Sequence, residues 1–393
     1  MIPRRRRPQW AIPFLLGILA GAVVFVGFYL VNNGLPFGFS AANIRIGQAA
    51  VPSPTPAPSP TPLSAKPHLE EAVRLESDGK LDEALAEYQQ AVTIEPSLPD
   101  GYLGSGRILT FRRDPAQAVK MIQKAIELNA KSGDAYASLA VAQDWNDDPD
   151  QAIVAARKAI ELSPNLPEAH AYLAEAYADN QRFADATTEV HKALALSANN
   201  VAAVRVKGYI YELQARYSDA VKQYTKAVEL APKQPYLYLL LGNVLKALKD
   251  FDGAVMVYQQ ATDLDPRDPR PPAAMGACYY AMESYPKAEE QLKVALALDP
   301  DYGAASGQLG LVYYSQKKNA DAIPQFLKAL ETEKDTSRIA SYRHALGWSL
   351  YAEKRYTDAK DQFSKALELD PKLQGAKEGL DAAKKAEQEA KTP

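Results

Sequence analysis

The sequence has one cysteine and four histidines in 393 residues, and no aspartate or glutamate anywhere in its first 66. A lone Cys278 excludes an intrachain disulfide and a thiolate metal cluster, so stability must come from packing. Set in the run MGACYYAM, it reads as a small buried apolar residue and not as a reactive thiol. His68, His170, His191 and His344 stand in different segments, and no pair has the spacing of a metal-binding helix face such as HExxH. No phosphate-cradling glycine loop and no GxSxG elbow appears. The segment 144–150, DWNDDPD, lacks the central glycine and terminal glutamate of a calcium loop and reads as a turn with a helix cap. Without a convergent set of perturbed groups, the sequence offers no enzyme, no cofactor and no metal site.

Charge is unevenly spread. The formal net of -3 hides a basic start: Arg4, Arg5, Arg6, Arg7, Arg45 and Lys66 precede every acid, leaving 39 of the 45 bases against all 48 acids, a net of -9, beyond residue 66. Phosphate recognition needs a basic stripe, so this balance argues against nucleic acid as a partner. The arginine cluster instead precedes an uncharged run, AIPFLLGILAGAVVFVGFYLV over 11–31. At 1.5 Å per residue it would be about 31 Å long, enough to cross a bilayer core. The pattern predicts a cytoplasmic stub over 1–10, a transmembrane helix over 11–31 and a single-pass cell-membrane protein with its C-terminal part extracytoplasmic. A cleaved signal peptide is the rival reading, against which the apolar run is too long. Gly17 and Gly21 form a GxxxG pair through which two copies would associate weakly. Residues 32–64 follow as a spacer in which Pro52, Pro54, Pro56, Pro58, Pro60 and Pro62 alternate with small residues, favouring stiff polyproline II.

What fills the rest is a repeat. At a shift of 34 residues, alanine recurs at 84, 118, 152, 186, 220, 254, 288, 322 and 359, and again seven residues on at 91, 125, 159, 193, 227, 261, 295, 329 and 366. Seven residues is two helical turns, so each pair marks one face of a helix that another helix approaches closely. An earlier helix in each unit carries Gly106, Gly208, Gly242, Gly276, Gly310 and Gly347, or Ala72, Ala140 and Ala174. Tyr177, Tyr211, Tyr279 and Tyr313 follow three positions later and should fill the space between hairpins. Pro96, Pro164, Pro232, Pro266, Pro300 and Pro371 end the second helix.

In these residues the chain resembles the tetratricopeptide repeat family, over 65–373. The resemblance implies an all-α, right-handed superhelical solenoid of nine helical hairpins, closed by a capping helix over 374–393. Departures are local. Asp114 and Asp148 precede Pro115 and Pro149, an N-cap followed by proline at the first helical position. Ala130, Ala198 and Lys334 replace the terminal proline, and three extra residues around 334–339 either bend the rod or extend a helix. Pro324 falls early in a second helix and would distort it slightly. His68 and Glu71 give the first repeat the polar face of a cap.

The same resemblance implies that the first helices line a concave face that binds a protein or peptide. Carried to matching positions, that face presents Arg107, Trp145, Glu175, Arg205, Tyr209, Glu212, Tyr236, Asn243, Lys246, Arg270, Tyr280, Tyr314, His344, Trp348 and Tyr351. The family's clamp for a C-terminal carboxylate is not assembled: Asn243 fills one place, but Leu239 stands where lysine is needed. The expected function is a membrane-anchored interaction scaffold or adaptor. Its alternatives are a self-assembling structural protein and a non-catalytic subunit of an envelope or glycan assembly complex.

Overall fold

Each 34-residue unit becomes two antiparallel helices because its small columns let the two backbones touch. The structure, a computed structural model, describes residues 64–391 apart from 113 and 334. Among the described residues every element is a helix. The first four hairpins are α1 (Lys66–Ser77) with α2 (Leu81–Ile94), α3 (Pro99–Phe111) with α4 (Pro115–Leu128), α5 (Gly133–Asp144) with α6 (Pro149–Leu162), and α7 (Pro167–Asp179) with α8 (Phe183–Leu196). The middle of the array pairs α9 (Val201–Leu213) with α10 (Tyr217–Leu230), α11 (Pro235–Ala247) with α12 (Phe251–Leu264), and α13 (Arg270–Ala281) with α14 (Tyr285–Leu298). Two more, α15 (Gly303–Ser315) with α16 (Asn319–Thr332) and α17 (Thr336–Ala352) with α18 (Tyr356–Leu369), lead to α19 (Gln374–Lys391). Helices touch their partner and the next hairpin, which is the one-dimensional stacking of a solenoid.

Local chemistry sets the helix limits. The Asp114 and Asp148 carboxylates accept from the amides of Gln117 and Gln151 at 3.0 and 3.2 Å, with Pro115 and Pro149 opening the helices behind them. Ser132, Asn200, Asp250 and Asp335 cap four more. Within a hairpin the chain reverses through a left-handed residue: Asp147, Gln181, Ala215, Lys249, Glu283, Lys317 and Lys354 all have φ between 56° and 63°, and Gly79 has φ 77°. The amide three residues past the helix then donates back, Arg182 to the Tyr177 carbonyl and Arg216 to the Tyr211 carbonyl, each at 2.8 Å. The extra residues near 334–339 extend a helix: α17 has 17 residues where the other first helices have 12 or 13. Pro324 lies inside α16, which continues to Thr332. Replacement of the terminal proline by Lys334 falls outside the described residues.

Both alanine columns are sealed, every member being at most 1% exposed. The third column carries a finer rule. A methyl group on Gly242 would lie 2.5 Å from the Tyr258 ring, on Gly310 2.8 Å from Phe326, on Gly347 2.6 Å from Phe363 and on Gly276 2.6 Å from Leu292. Where the first helix has alanine instead, at 140 and 174, the facing residue shrinks to Ala156 and Val190, both at most 2% exposed. In these repeats volume is shared across the hairpin, glycine facing a ring or a leucine and alanine a small side chain, whereas the first repeat sets Ala72 in one core with the buried Tyr88. The last helix follows suit. α19 buries Ala376 and Ala383 against the last repeat, and its Gly379 lies under the Phe363 ring.

The membrane assignment is corrected at this point. Among the described residues no helix is long and apolar enough to cross a membrane, so the single-pass, cell-membrane localisation is without support. The stub at 1–10, the run at 11–31, the Gly17–Gly21 pair and most of the 32–64 spacer lie outside the described residues.

Gly242→Ala tests the volume rule. Helix propensity favours alanine by about 1 kcal/mol, but overpacking a fixed ring costs about 1–3 kcal/mol, and Tyr258 at 0% exposure has no room to retreat. The variant should lose about 1 kcal/mol on chemical denaturation, and Tyr258→Val in the same chain should recover part of it. A gain in stability from the single change would refute the rule.

Candidate protein-recognition face

How the rod coils decides which inner side chains are open. Asp78 and Lys233, 155 residues apart, form an ion pair at 2.9 Å, so the array returns to its own first hairpin within five repeats. Turns of one level meet inter-repeat loops of the next. The α3–α4 turn carries Arg112, whose guanidinium bridges Asp82 and Asp265, with Nε to Asp265 Oδ2 at 3.0 Å. Arg267 adds a pair to Asp82 at 3.3 Å, and Arg270 donates to the Phe111 carbonyl at 2.9 Å while holding Asp268. Below these charges lies an aromatic plug. Phe111 stacks on Tyr236 with centroids 4.3 Å apart and planes 10° from parallel, and Trp145 meets both edge-on at 5.0 and 6.3 Å.

Of the first group of expected residues, Glu175, Arg205 and Tyr236 are consumed by this interior, while Arg107, Trp145, Tyr209 and Glu212 stay partly open. Arg205 and Glu175 are each 2% exposed and pair through both terminal guanidinium nitrogens, Nη1 to Oε1 at 2.6 Å. Trp145 Nε1 donates to the same carboxylate at 3.1 Å, and the guanidinium lies 5.8 Å from the indole centroid. Burial works against the Arg205 charge, but the Glu175 carboxylate outweighs it and holds the group above its ordinary value. Tyr236 is 8% exposed. Tyr209 donates to Asp179, Tyr224 donates to Glu212 at 2.8 Å, and Arg107 pairs with Asp134 at 3.2 Å. A partner reaches Glu175, Arg205 or Tyr236 only if these contacts separate.

Beside the buried pair sits Asp144, 5% exposed, whose two carboxyl oxygens meet no donor when ionised but whose protonated carboxyl can donate to Asp179. Burial first, then the negative Glu175 and Asp179, push its carboxyl well above the ordinary 3.8. No group of histidine, cysteine, aspartate or glutamate suited to a metal ion occurs among the described residues. Cys278 is fully enclosed, and burial pushes its thiol up to about 11, the behaviour of an apolar residue.

The second group stays accessible along repeats 6–9. Asn243 is exposed, and Lys246, Tyr280, Tyr314, His344, Trp348 and Tyr351 are half-buried. Lys246, Tyr280, Tyr314 and Tyr351 occupy one register on α11, α13, α15 and α17, so they form a single stripe. Neighbours stiffen it: Tyr280 shares a hydrogen bond with Ser315 at 3.2 Å, Tyr258 donates to Asn243 at 2.8 Å, and Trp348 packs on Tyr351 and Phe363 at 5.6 and 5.3 Å. Trp348 Nε1 donates to His344 Nε2 at 3.0 Å, and burial lowers the His344 pKa, so the ring is a neutral acceptor. Asn243 and Lys246 border a cavity of about 320 Å³ that runs from Trp145 and Tyr236 to Arg338 and Tyr342.

Sequence reasoning missed Asp78, Asp82, Phe111, Arg112, Lys233, Asp265 and Arg267. One signal was present: Phe111 stands 34 residues before Trp145, at the same register.

With the helices placed, comparison with known proteins decides the family. Models described as tetratricopeptide repeat match residues 172–235 and 275–339, 211–278, and 340–373, an unbroken stretch covering just over half of the chain. The chain belongs to the tetratricopeptide repeat family. No curated protein matches it as a relative. Among solved structures, this tetratricopeptide array is similar to a chain of the APC/C hetero-tetramer Cut9-Hcn1, with TM-score 0.62 and 16% identity over 82% of this chain and 67% of that one. It is also similar to the human IFIT1 dimer with PPP-AAAA, with TM-score 0.53 and 17% identity over 78% and 91%. At these identities the likeness is one of fold.

Two predictions follow the buried charges of the tetratricopeptide array. Glu175→Ala strands Arg205 without a counter-charge and should cost about 3–5 kcal/mol, whereas Glu175→Leu with Arg205→Met should cost clearly less. Equal losses in urea would show that the pair is not coupled. For Asp144, a raised folded pKa means that above 3.8 the folded chain keeps a proton which the unfolded chain releases, so stability falls as pH rises through that window. Asp144→Asn should therefore raise the thermal midpoint at alkaline pH and flatten its decline, and a variant with the wild-type pH slope would rule this out.

Proposed function

We propose that the protein is an interaction scaffold that holds a protein or peptide partner on the stripe of repeats 6–9, with binding and not turnover as its activity. The observation that carries this reading is the recurrence of Lys246, Tyr280, Tyr314 and Tyr351 at one register on four consecutive first helices, flanked by Asn243 and Trp348. Half-buried tyrosine and tryptophan present rigid apolar area with a polar tip at little entropic cost, which is what recognition hot spots favour. Fixed rings at a constant repeat spacing suit an extended segment or the face of a helix.

Nucleic acid is not the proposed partner. The larger cavity of the interior, about 800 Å³, is lined by Asp82, Asp268, Asp299, Asp301 and Glu333 as well as by Arg112, Arg267 and Arg338. Carboxylates on that scale oppose phosphate. A free C-terminal carboxylate is not proposed either, since Leu239, 7% exposed, occupies the place of the clamp lysine.

A photo-crosslinking side chain at position 314 should capture the partner in cells, and one at Met256, 72% exposed on the second helix of repeat 6, should not. Tyr280→Ala with Tyr314→Ala should weaken that partner's binding by about tenfold or more while leaving helicity unchanged. Capture from 256 but not from 314 would place recognition on the other surface, and binding of single-stranded RNA at physiological salt would refute the choice of partner.

A further inference from the structure

We propose that the contacts between the first two hairpin turns and the loops after repeats 5 and 6 form an autoinhibitory clasp. Closed, it hides the N-terminal half of the recognition face; open, it offers Glu175, Arg205 and Tyr236 to the partner. This inference deepens the scaffold reading and rests on it.

The clasp has a distinct physical character. Helices stack on their neighbours through broad apolar surfaces, whereas the two levels of the coil meet through side chains. Lys233 and Arg267 are 55% and 79% exposed, so their pairs with Asp78 and Asp82 are open to screening by salt. Arg112 with Asp265, 16% and 7% exposed, and the Phe111–Tyr236 stack form its drier centre. One backbone approach completes it. At Gly79 a Cβ atom would lie 2.7 Å from the Lys233 carbonyl oxygen, and glycine there is the exception. Seven other repeats place a side chain at this left-handed position, lysine in three of them. The turn itself therefore tolerates lysine, and what excludes one at 79 is the loop of the next level.

Gly79→Lys is accordingly a wedge that keeps its hairpin, and Arg112→Met removes the central ion pairs by another route. Both are made in the full chain with Trp10→Phe and Trp348→Phe, leaving Trp145, inside the plug, as the reporter. In each variant acrylamide quenching of Trp145 should rise by about twofold or more. The maximum dimension from X-ray scattering should grow and helicity should stay constant, and high salt should move the parent chain the same way. Lys249→Asn, at the same turn position away from the clasp, should change none of these. Should Gly79→Lys lose helicity, Arg112→Met decides. Unchanged quenching and dimension in a folded Arg112→Met chain would overturn the clasp. These readouts use no partner, so failure of the scaffold reading would leave them untouched and show itself only in crosslinking.

Discussion

Everything in this molecule depends on how closely two helices pass at the centre of each hairpin. The first helix carries a hydrogen atom or a methyl group there, and the second carries whatever volume remains. Tyr258 over Gly242, Phe326 over Gly310 and Ala156 opposite Ala140 are three solutions to one spacing. Interiors packed to crystal density cannot absorb an added methylene without moving something. The spacing is therefore held by pairs of residues and not by a fixed residue type. Each hairpin then stacks on the next, and over five repeats the stacking brings Lys233 back to Asp78.

Coiling has a consequence that no single hairpin contains. The array meets itself, and side chains on an inner surface must then pack, pair or stay wet. In repeats 2–6 they pack and pair: Arg205 finds Glu175, and Phe111 finds Tyr236. In repeats 6–9 the matching positions stay partly open, held by Asn243 and Lys246 in repeat 6 and by tyrosine and tryptophan in repeats 7–9. A buried ion pair adds little net stability over an apolar substitute, so its physical virtue lies elsewhere. Breaking it is costly, which fixes the register of the two helices that carry it.

Most of the fold was legible in the sequence, and the reason is averaging. Nine copies in phase turn weak preferences into columns, so the alanines, the glycines and the caps at Asp114 and Asp148 could be read directly. The lengthening of α17 was one of two outcomes left open, since three residues near a helix start suit either a longer helix or a bend. The inner contacts were not legible for the opposite reason: the Arg112–Asp265 and Lys233–Asp78 pairs have no counterpart in other repeats and join residues 153 and 155 positions apart. Helix-face arithmetic says where a side chain points relative to its own hairpin and nothing about the next level of the coil. Hence Glu175 and Arg205, placed on the concave face, were expected to be accessible and are 2% exposed. The apolar run at 11–31 had the length and charge pattern of a membrane span, but among the described residues no helix has that character.

Repetition and its exceptions thus divide the work. Residues that recur build the frame, because a recurring contact needs the same partner in every copy. Residues that occur once mark where one part of the frame meets something outside its own hairpin. Gly79 illustrates the distinction. Its left-handed φ would ordinarily explain a glycine, yet seven other repeats hold aspartate, glutamine, alanine, lysine or glutamate at the same φ. Conformation alone therefore does not account for the missing side chain, whereas the Lys233 backbone passing 2.7 Å from its Cβ position does. By the same logic the aromatic stripe is informative. Tyr280, Tyr314 and Tyr351 recur on one face, as frame residues do, and pack against the core there while staying half-buried. Such residues serve the frame on one flank and keep part of their surface open on the other, which is why the proposed recognition face is drawn through them.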